Sequence, residues 1–245
     1  MKINGLARLS GDAIEQKAER LLTYYNSTAL TYLQSTDLKD IARFLTEKHG
    51  FIFDFTRIIG FAEDGTKILG AFNPKKKLIF VDSSLQADIT KFNFTLAHEI
   101  GHLILHRKLT LVYELPGEIV GANSIAFKED NNTDADWMEW QANRFGAALL
   151  MPKPIISAKL SQAKQKVGNS SRLDRLFVND HPQSISEYYF IIADLSNFFG
   201  VSHTAVSIRL KTLGMVKDYR QYAGMIQPVS NMMDWNDIAV DDPPF

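Results

Sequence analysis

Apolar residues recur at three- and four-residue intervals near the start of the chain. Ala13, Ile14, Ala18, Leu21, Leu22 and Tyr25 share one helical face, which predicts an amphipathic helix over about residues 12–33. A second helix is expected to begin at the cap cluster Ser35-Thr36-Asp37 and to stop at Gly50. The period then changes to alternation. Phe51–Phe55, Lys67–Phe72 and Lys77–Asp82 read as strands, the last two flanking Asn73-Pro74-Lys75-Lys76, which has hairpin chemistry. Ile89–His106 is apolar on nearly every side, the pattern of a helix buried in a core.

Residues 107–133 mix short apolar runs with Pro116, Gly117, Gly121 and Asn131-Asn132, and are expected to be loops with a short strand. A strong helix is predicted from Asp134 to Leu150, stopped by Pro152 and Pro154. Residues 153–175 carry Lys153, Lys159, Lys164, Lys166, Arg172 and Arg175 against Asp174, which suggests a basic helix followed by a loop. Ser186–Phe198 and His203–Leu213 read as two helices joined at Gly200-Val201-Ser202. The end of the chain holds Asp234, Asp237, Asp241 and Asp242 with no base, and is expected to be a mobile acidic tail. The fold expected is α+β: helices around a small, mainly antiparallel sheet over residues 1–155, a helical, helix-turn-helix-like module over 156–217, and the tail over 218–245.

Composition narrows the chemistry. The chain has 245 residues, 45% of them hydrophobic, a net charge of -1 and no cysteine. A disulfide framework, a thiolate metal site and a cysteine nucleophile are thereby excluded. The near-zero charge gives no general attraction to nucleic acid or membranes. The first ten residues lack the apolar stretch of a secretory signal, and no apolar run could span a bilayer. A cytoplasmic protein without membrane attachment is expected.

The informative motif is His98-Glu99-Ile100-Gly101-His102, an H-E-x-x-H sequence within a predicted helix. Residues four apart lie one turn apart on the same face, so two imidazoles can converge on one ion. Glu99 can take a proton from water at the metal's open position. With this chain's own His and Glu frequencies, the motif arises by chance in roughly 0.6% of such sequences. Chance is a poor explanation. A catalytic zinc needs a third protein ligand, and His106, Glu139, Asp134 and Asp136 are candidates by type. His106 lies two turns beyond His98, about 12 Å along the axis, too far to share its ion easily. Glu139 stands on a helix that can pack against the first, with small Ala142 permitting close approach.

The pairing of HEIGH with EWQANRFGAALLMP (Glu139–Pro152) resembles the ImmA/IrrE family of metallo-endopeptidases. AIEQKAERLL, STDLKDIARFLTEKHG and the later SNFFGVSHTAVSIRLKTLGMV are similar to that family as well, in its order. The resemblance implies a zincin-like fold, one zinc ion per chain held by His98, His102 and Glu139, and Glu99 as catalytic base. It further implies cleavage of a repressor of Xre or phage cI type, releasing the genes held down. Since little follows the helical motif here, the sensor-like C-terminal domain of longer radiation-response members is expected to be missing, and the activating signal stays open.

Other roles stay open. Tyr113 and Arg144 are available by type to stabilise an oxyanion, and nothing in the sequence chooses between them. The strand Lys77–Val81 could pair with an extended substrate if it lies at a sheet edge, or be interior. Trp140 could shield the metal or simply pack. The terminal helical pair suits protein docking or plain packing; a lesser DNA-binding reading puts Ser207 or Arg209 against a groove. Two competing functions are a non-catalytic DNA- or repressor-binding regulator with a structural metal, and a metal hydrolase acting on something other than protein.

Overall fold

The computed structural model describes residues 5–62, 65–112, 120–121, 133–168 and 175–220. Helix α1 (Gly11–Tyr25) starts at Ser10, whose hydroxyl accepts the Ala13 N–H, and buries Ile14, Ala18, Leu21 and Leu22. It stops short of the residue 33 that the apolar pattern suggested. The cause is Asn26, whose side-chain oxygen accepts from both the N–H and the hydroxyl of Thr28 and turns the chain. Helix α2 (Leu38–His49) keeps to its predicted limits: Asp37 accepts the Lys39 and Asp40 N–H groups, and Gly50 closes it at φ 67.

Four short strands form the main sheet: β1 (Ile52–Asp54), β2 (Gly70–Asn73), β3 (Leu78–Val81) and β4 (Val120–Gly121), in the order β1-β3-β2-β4. β2 runs antiparallel to β3 and β4, and β1 parallel to β3. Asn73 makes the predicted turn by accepting the Lys76 N–H at 3.0 Å, and Lys77 takes the left-handed conformation at φ 51. The order decides one alternative the sequence left open. The strand Lys77–Val81 lies between β1 and β2, so both its edges are paired and it offers no edge to a substrate.

Helix α3 (Ile89–Val112) packs across this sheet and runs past the predicted end at His106. Phe92, Leu96, Ala97, Ile100 and Leu103 are buried along it. Helix α4 (Asp134–Leu150) matches its prediction at both ends. Thr133 and Asp136 bond reciprocally as a capping box, and Met151-Pro152 ends the helix. Asp134 and Asp136 are therefore engaged away from the His98–His102 pair: Asp136 caps the helix, and Asp134 lies 3.5 Å from Arg8. Helix α5 (Lys153–Lys166) is the predicted basic helix, except that Lys164 is buried and donates to the Arg175 carbonyl at 3.2 Å.

A two-stranded parallel ribbon of β5 (Leu176–Val178) and β6 (Val216–Asp218) brackets helices α6 (Pro182–Phe199) and α7 (His203–Thr212). The ribbon has no alternating pattern long enough to read from sequence. Gly200 ends α6 at φ 63, and Ser202 caps α7 by accepting the Ala205 N–H, as the sequence suggested. Pro116, Gly117, Tyr113, Asn131, Asn132, Arg172, Asp174 and the acidic residues from Asp234 onward lie outside the described residues. Among the described residues no helix is long and apolar enough to cross a membrane.

One continuous cluster of buried side chains extends from Ile14 in α1 to Val216 in β6. Arg209 of α7 is 2% exposed within it. Its guanidinium donates to both carboxylate oxygens of Glu15 in α1, at 2.5 and 2.7 Å, and to the Met151 carbonyl at the end of α4. Ser207 shares a hydrogen bond with the Tyr188 hydroxyl of α6. Of the two side chains named for a DNA groove, Arg209 is thus buried and Ser207, half-buried, is engaged with α6, which corrects that placement. A buried pair of this kind is costly to break on one side, because the remaining charge has no water. Arg209→Met should lower unfolding free energy by about 3–5 kcal/mol. The double variant Arg209→Met/Glu15→Leu should lose less than the single one in urea titrations. Equal or additive losses would contradict this account.

Candidate metal centre

The site forms where α3 and α4 cross. Helices can come this close only where side chains are absent or tiny. A Cβ on Gly101 would meet the Ala142 carbonyl oxygen at 2.9 Å, and one on Gly146 would meet the His98 backbone nitrogen at 3.2 Å. That contact carries Glu139 to the face of α3 bearing His98 and His102. His98 Nε2 and His102 Nε2 are 3.0 Å apart, and Glu139 Oε2 and Oε1 lie 3.2 Å from each in turn. All three side chains are buried.

This donor set fits a divalent cation. Ligands about 2.0–2.1 Å from a tetrahedral zinc are about 3.3 Å from one another, within a few tenths of an ångström of the spacing here. The imidazoles are also oriented for it. His98 Nδ1 donates to Asn143 Oδ1 at 2.7 Å, which leaves the Nε2 lone pair facing the other two ligands. Asn143 stands one turn after Glu139 on the same face of α4, so a single helix supplies both an acid and the group that orients a histidine. In the sequence, the four-residue spacing of Asn143 from Glu139 is the signal for this role.

Glu99 points to the adjacent space between α3 and β2. It is fully buried, and among the described residues neither carboxylate oxygen has a hydrogen-bond partner. Gly70 of β2 makes room for it: a Cβ there would lie 2.6 Å from Glu99 Oε1. A buried carboxylate without partners is expensive in a structure that gives it nothing to do.

His106 does not join the three ligands. Its Nδ1 sits 3.1 Å behind His102 Nδ1, and its Nε2 is 3.4 Å from Gln141 Oε1. Arg144, one of the two oxyanion candidates, faces α1 instead, with its Nε 3.6 Å from Glu15; Tyr113, the other, is not among the described residues. Trp140 packs half-buried against the core, edge-on to Trp137.

In the metal-free protein these groups perturb one another strongly. Burial pushes His98 down, but the hydrogen bond and charge of Glu139, with Glu99 and Asn143, outweigh it and raise its pKa to about 8. Burial, opposed by His98 and aided by the Glu139 charge, raises Glu99 to about 8. Burial would raise Glu139 as well, yet His102 and His98 hold it well below the usual carboxylate range. Burial and then the neighbouring His102 push His106 down to about 3, so it is neutral.

Comparison with known families agrees with this geometry. The peptidase M78 family model, described as the IrrE N-terminal-like domain, matches residues 55–211. The chain belongs to that family. The match spans α3 and α4 whole, and M78 membership supports a metallopeptidase-type function and implies a bound metal. None of the curated proteins searched matches the chain.

The site's titration gives a direct check. Unfolding returns Glu99 to 4.5 and His98 to 6.5, both below their folded values of about 8. Each therefore contributes stability that is complete below its unfolded pKa and lost as pH rises through about 8. Glu139 shifts the other way and stays ionised in both states across this window. Metal-free protein should lose on the order of 1–2 kcal/mol per pH unit between pH 6.5 and 8. A bound divalent cation keeps the proton off His98, so thermal melts of zinc-loaded protein should not fall with rising pH in this window. Level melts without metal would contradict the geometry.

Proposed function

We propose that this chain is a cytoplasmic zinc-dependent endopeptidase whose metal is held by His98, His102 and Glu139 and whose general base is Glu99. The reading rests on one observation: a buried carboxylate with no hydrogen-bond partner among the described residues stands beside a His-His-Glu cluster whose lone pairs converge. Zinc bound there supplies Lewis acidity, polarising a carbonyl and making water acidic near neutral pH. Glu99 then does the proton work. Its carboxylate, which has no hydrogen bond to give up among the described residues, accepts a proton from the attacking water, which adds to the scissile carbonyl carbon. The same carboxylic acid returns that proton to the amide nitrogen as the C–N bond breaks, so a neutral amine leaves and Glu99 is restored. Asn143 keeps His98 in the tautomer that binds metal, and Gly70 keeps the pocket for Glu99 open.

The substrate follows from the family resemblance of the motifs. It is a helix-turn-helix repressor of Xre or cI type, and its cleavage makes the enzyme a derepression switch. The α6–α7 pair is the surface assigned to docking that protein.

Glu99→Gln should keep one zinc per chain while cleavage of a purified candidate repressor falls about 10²–10⁴-fold. Cleavage that survives the substitution removes Glu99 from the role of base. Gly70→Ala tests the pocket separately. The added methyl would displace the carboxylate, so kcat should fall about 10–100-fold with zinc content unchanged. An unaltered kcat would show that the close approach of β2 is irrelevant to the reaction.

A further inference from the structure

Behind the ligand His102 lies a run of buried polar groups that the reaction above does not use. His102 Nδ1 is 3.1 Å from His106 Nδ1, His106 Nε2 is 3.4 Å from Gln141 Oε1, and Gln141 Nε2 donates to the Ala7 carbonyl at 2.9 Å. His102, His106 and Gln141 are each 2% exposed or less. The run starts at the backbone of the segment before α1, passes through α4 and ends on α3.

Proton directions along it are fixed from the far end. A backbone carbonyl can only accept, so the Gln141 amide must present its nitrogen to Ala7 and its oxygen to His106. That oxygen also only accepts, so His106 Nε2 carries the hydrogen. Two imidazole nitrogens facing one another at 3.1 Å need one proton between them. If His106 Nδ1 donated it, His102 would be left to carry its own hydrogen on Nε2, and that nitrogen would be closed to a metal. Only with His106 Nδ1 accepting does His102 hold Nδ1–H and turn the Nε2 lone pair toward His98 and Glu139.

We propose that His106 and Gln141 are positioning residues, which with the Ala7 carbonyl form a one-directional hydrogen-bond relay that locks His102 in its metal-binding tautomer. The inference rests on the zinc reading above and adds to it a dependence of the metal centre on the segment before α1. It also explains why a third histidine follows the motif at a distance from which it cannot share the ion.

The test compares His106→Asn with His106→Leu in the full chain. Asparagine Oδ1 falls where the imidazole Nδ1 was and keeps an acceptor for His102; leucine has a similar outline and no acceptor. Zinc affinity is measured by competition with a chromophoric chelator, and the His102 tautomer by imidazole ¹⁵N shifts of the zinc-loaded protein. His106→Asn should bind within about threefold of the parent and keep Nδ1–H on His102, whereas His106→Leu should bind about 10–100-fold more weakly. Gln141→Leu leaves both rings in place and should weaken binding about tenfold; it carries the test alone if His106→Leu does not fold. Parent-like affinity in His106→Leu or Gln141→Leu, or an equal loss in the asparagine and leucine variants, overturns the relay. Failure of the underlying reading looks different: stoichiometric zinc in His98→Ala and Glu139→Ala would remove the metal centre itself.

Discussion

The site depends on two helices whose backbones almost touch. Three side chains can share one small ion only if their ends meet within about 3–4 Å, and ordinary helix packing leaves axes 8–10 Å apart. Gly101 against Ala142, and Gly146 against Ala97 and His98, bring α3 and α4 together at the point where the ligands project. Any larger side chain there would separate Glu139 from the histidines. On the other side of α3, β2 covers Glu99, whose carboxylate has no hydrogen-bond partner among the described residues, which suits it for handling protons. A lone H-E-x-x-H helix would have neither property.

The rest of the molecule holds that crossing in place. α1 packs on α4, and Glu15 of α1 is joined through Arg209 to α7 and to the last carbonyl of α4. The sheet backs α3 and contributes Gly70, where a Cβ would meet Glu99 at 2.6 Å. The basic residue that appeared most suited to a nucleic acid is instead an internal tie between the two ends of the described chain. Charge counted along a sequence cannot distinguish these roles, since a guanidinium satisfied by a carboxylate 194 residues away reads the same as an exposed one.

Local rules were the most legible. The caps at Asp37 and Ser202, the glycine stops at Gly50 and Gly200, and the proline stop after Met151 all involve neighbours within four residues. The motif placed His98, Glu99 and His102 on one helix, and small Ala142 hinted at the approach of Glu139. Asn26 was a local exception: its bond to Thr28, two residues on, ended α1 against a continuing apolar pattern. Features set by distant partners were not legible. Strand β3 lies inside the sheet because β1 adds to it in parallel, which alternation cannot express. Asn143 and Gln141 gain their meaning only once α4 is laid against α3, and Gly70 only once β2 lies beside Glu99.

The central claim is an open three-ligand site rather than a closed structural one. X-ray absorption at the zinc edge of the loaded protein tests it most directly. The account predicts two imidazole nitrogens and a carboxylate oxygen at about 2.0–2.2 Å, with the remaining coordination filled by an exchangeable oxygen that an added thiol or hydroxamate replaces. A first shell made wholly of protein atoms that no added ligand disturbs would contradict it.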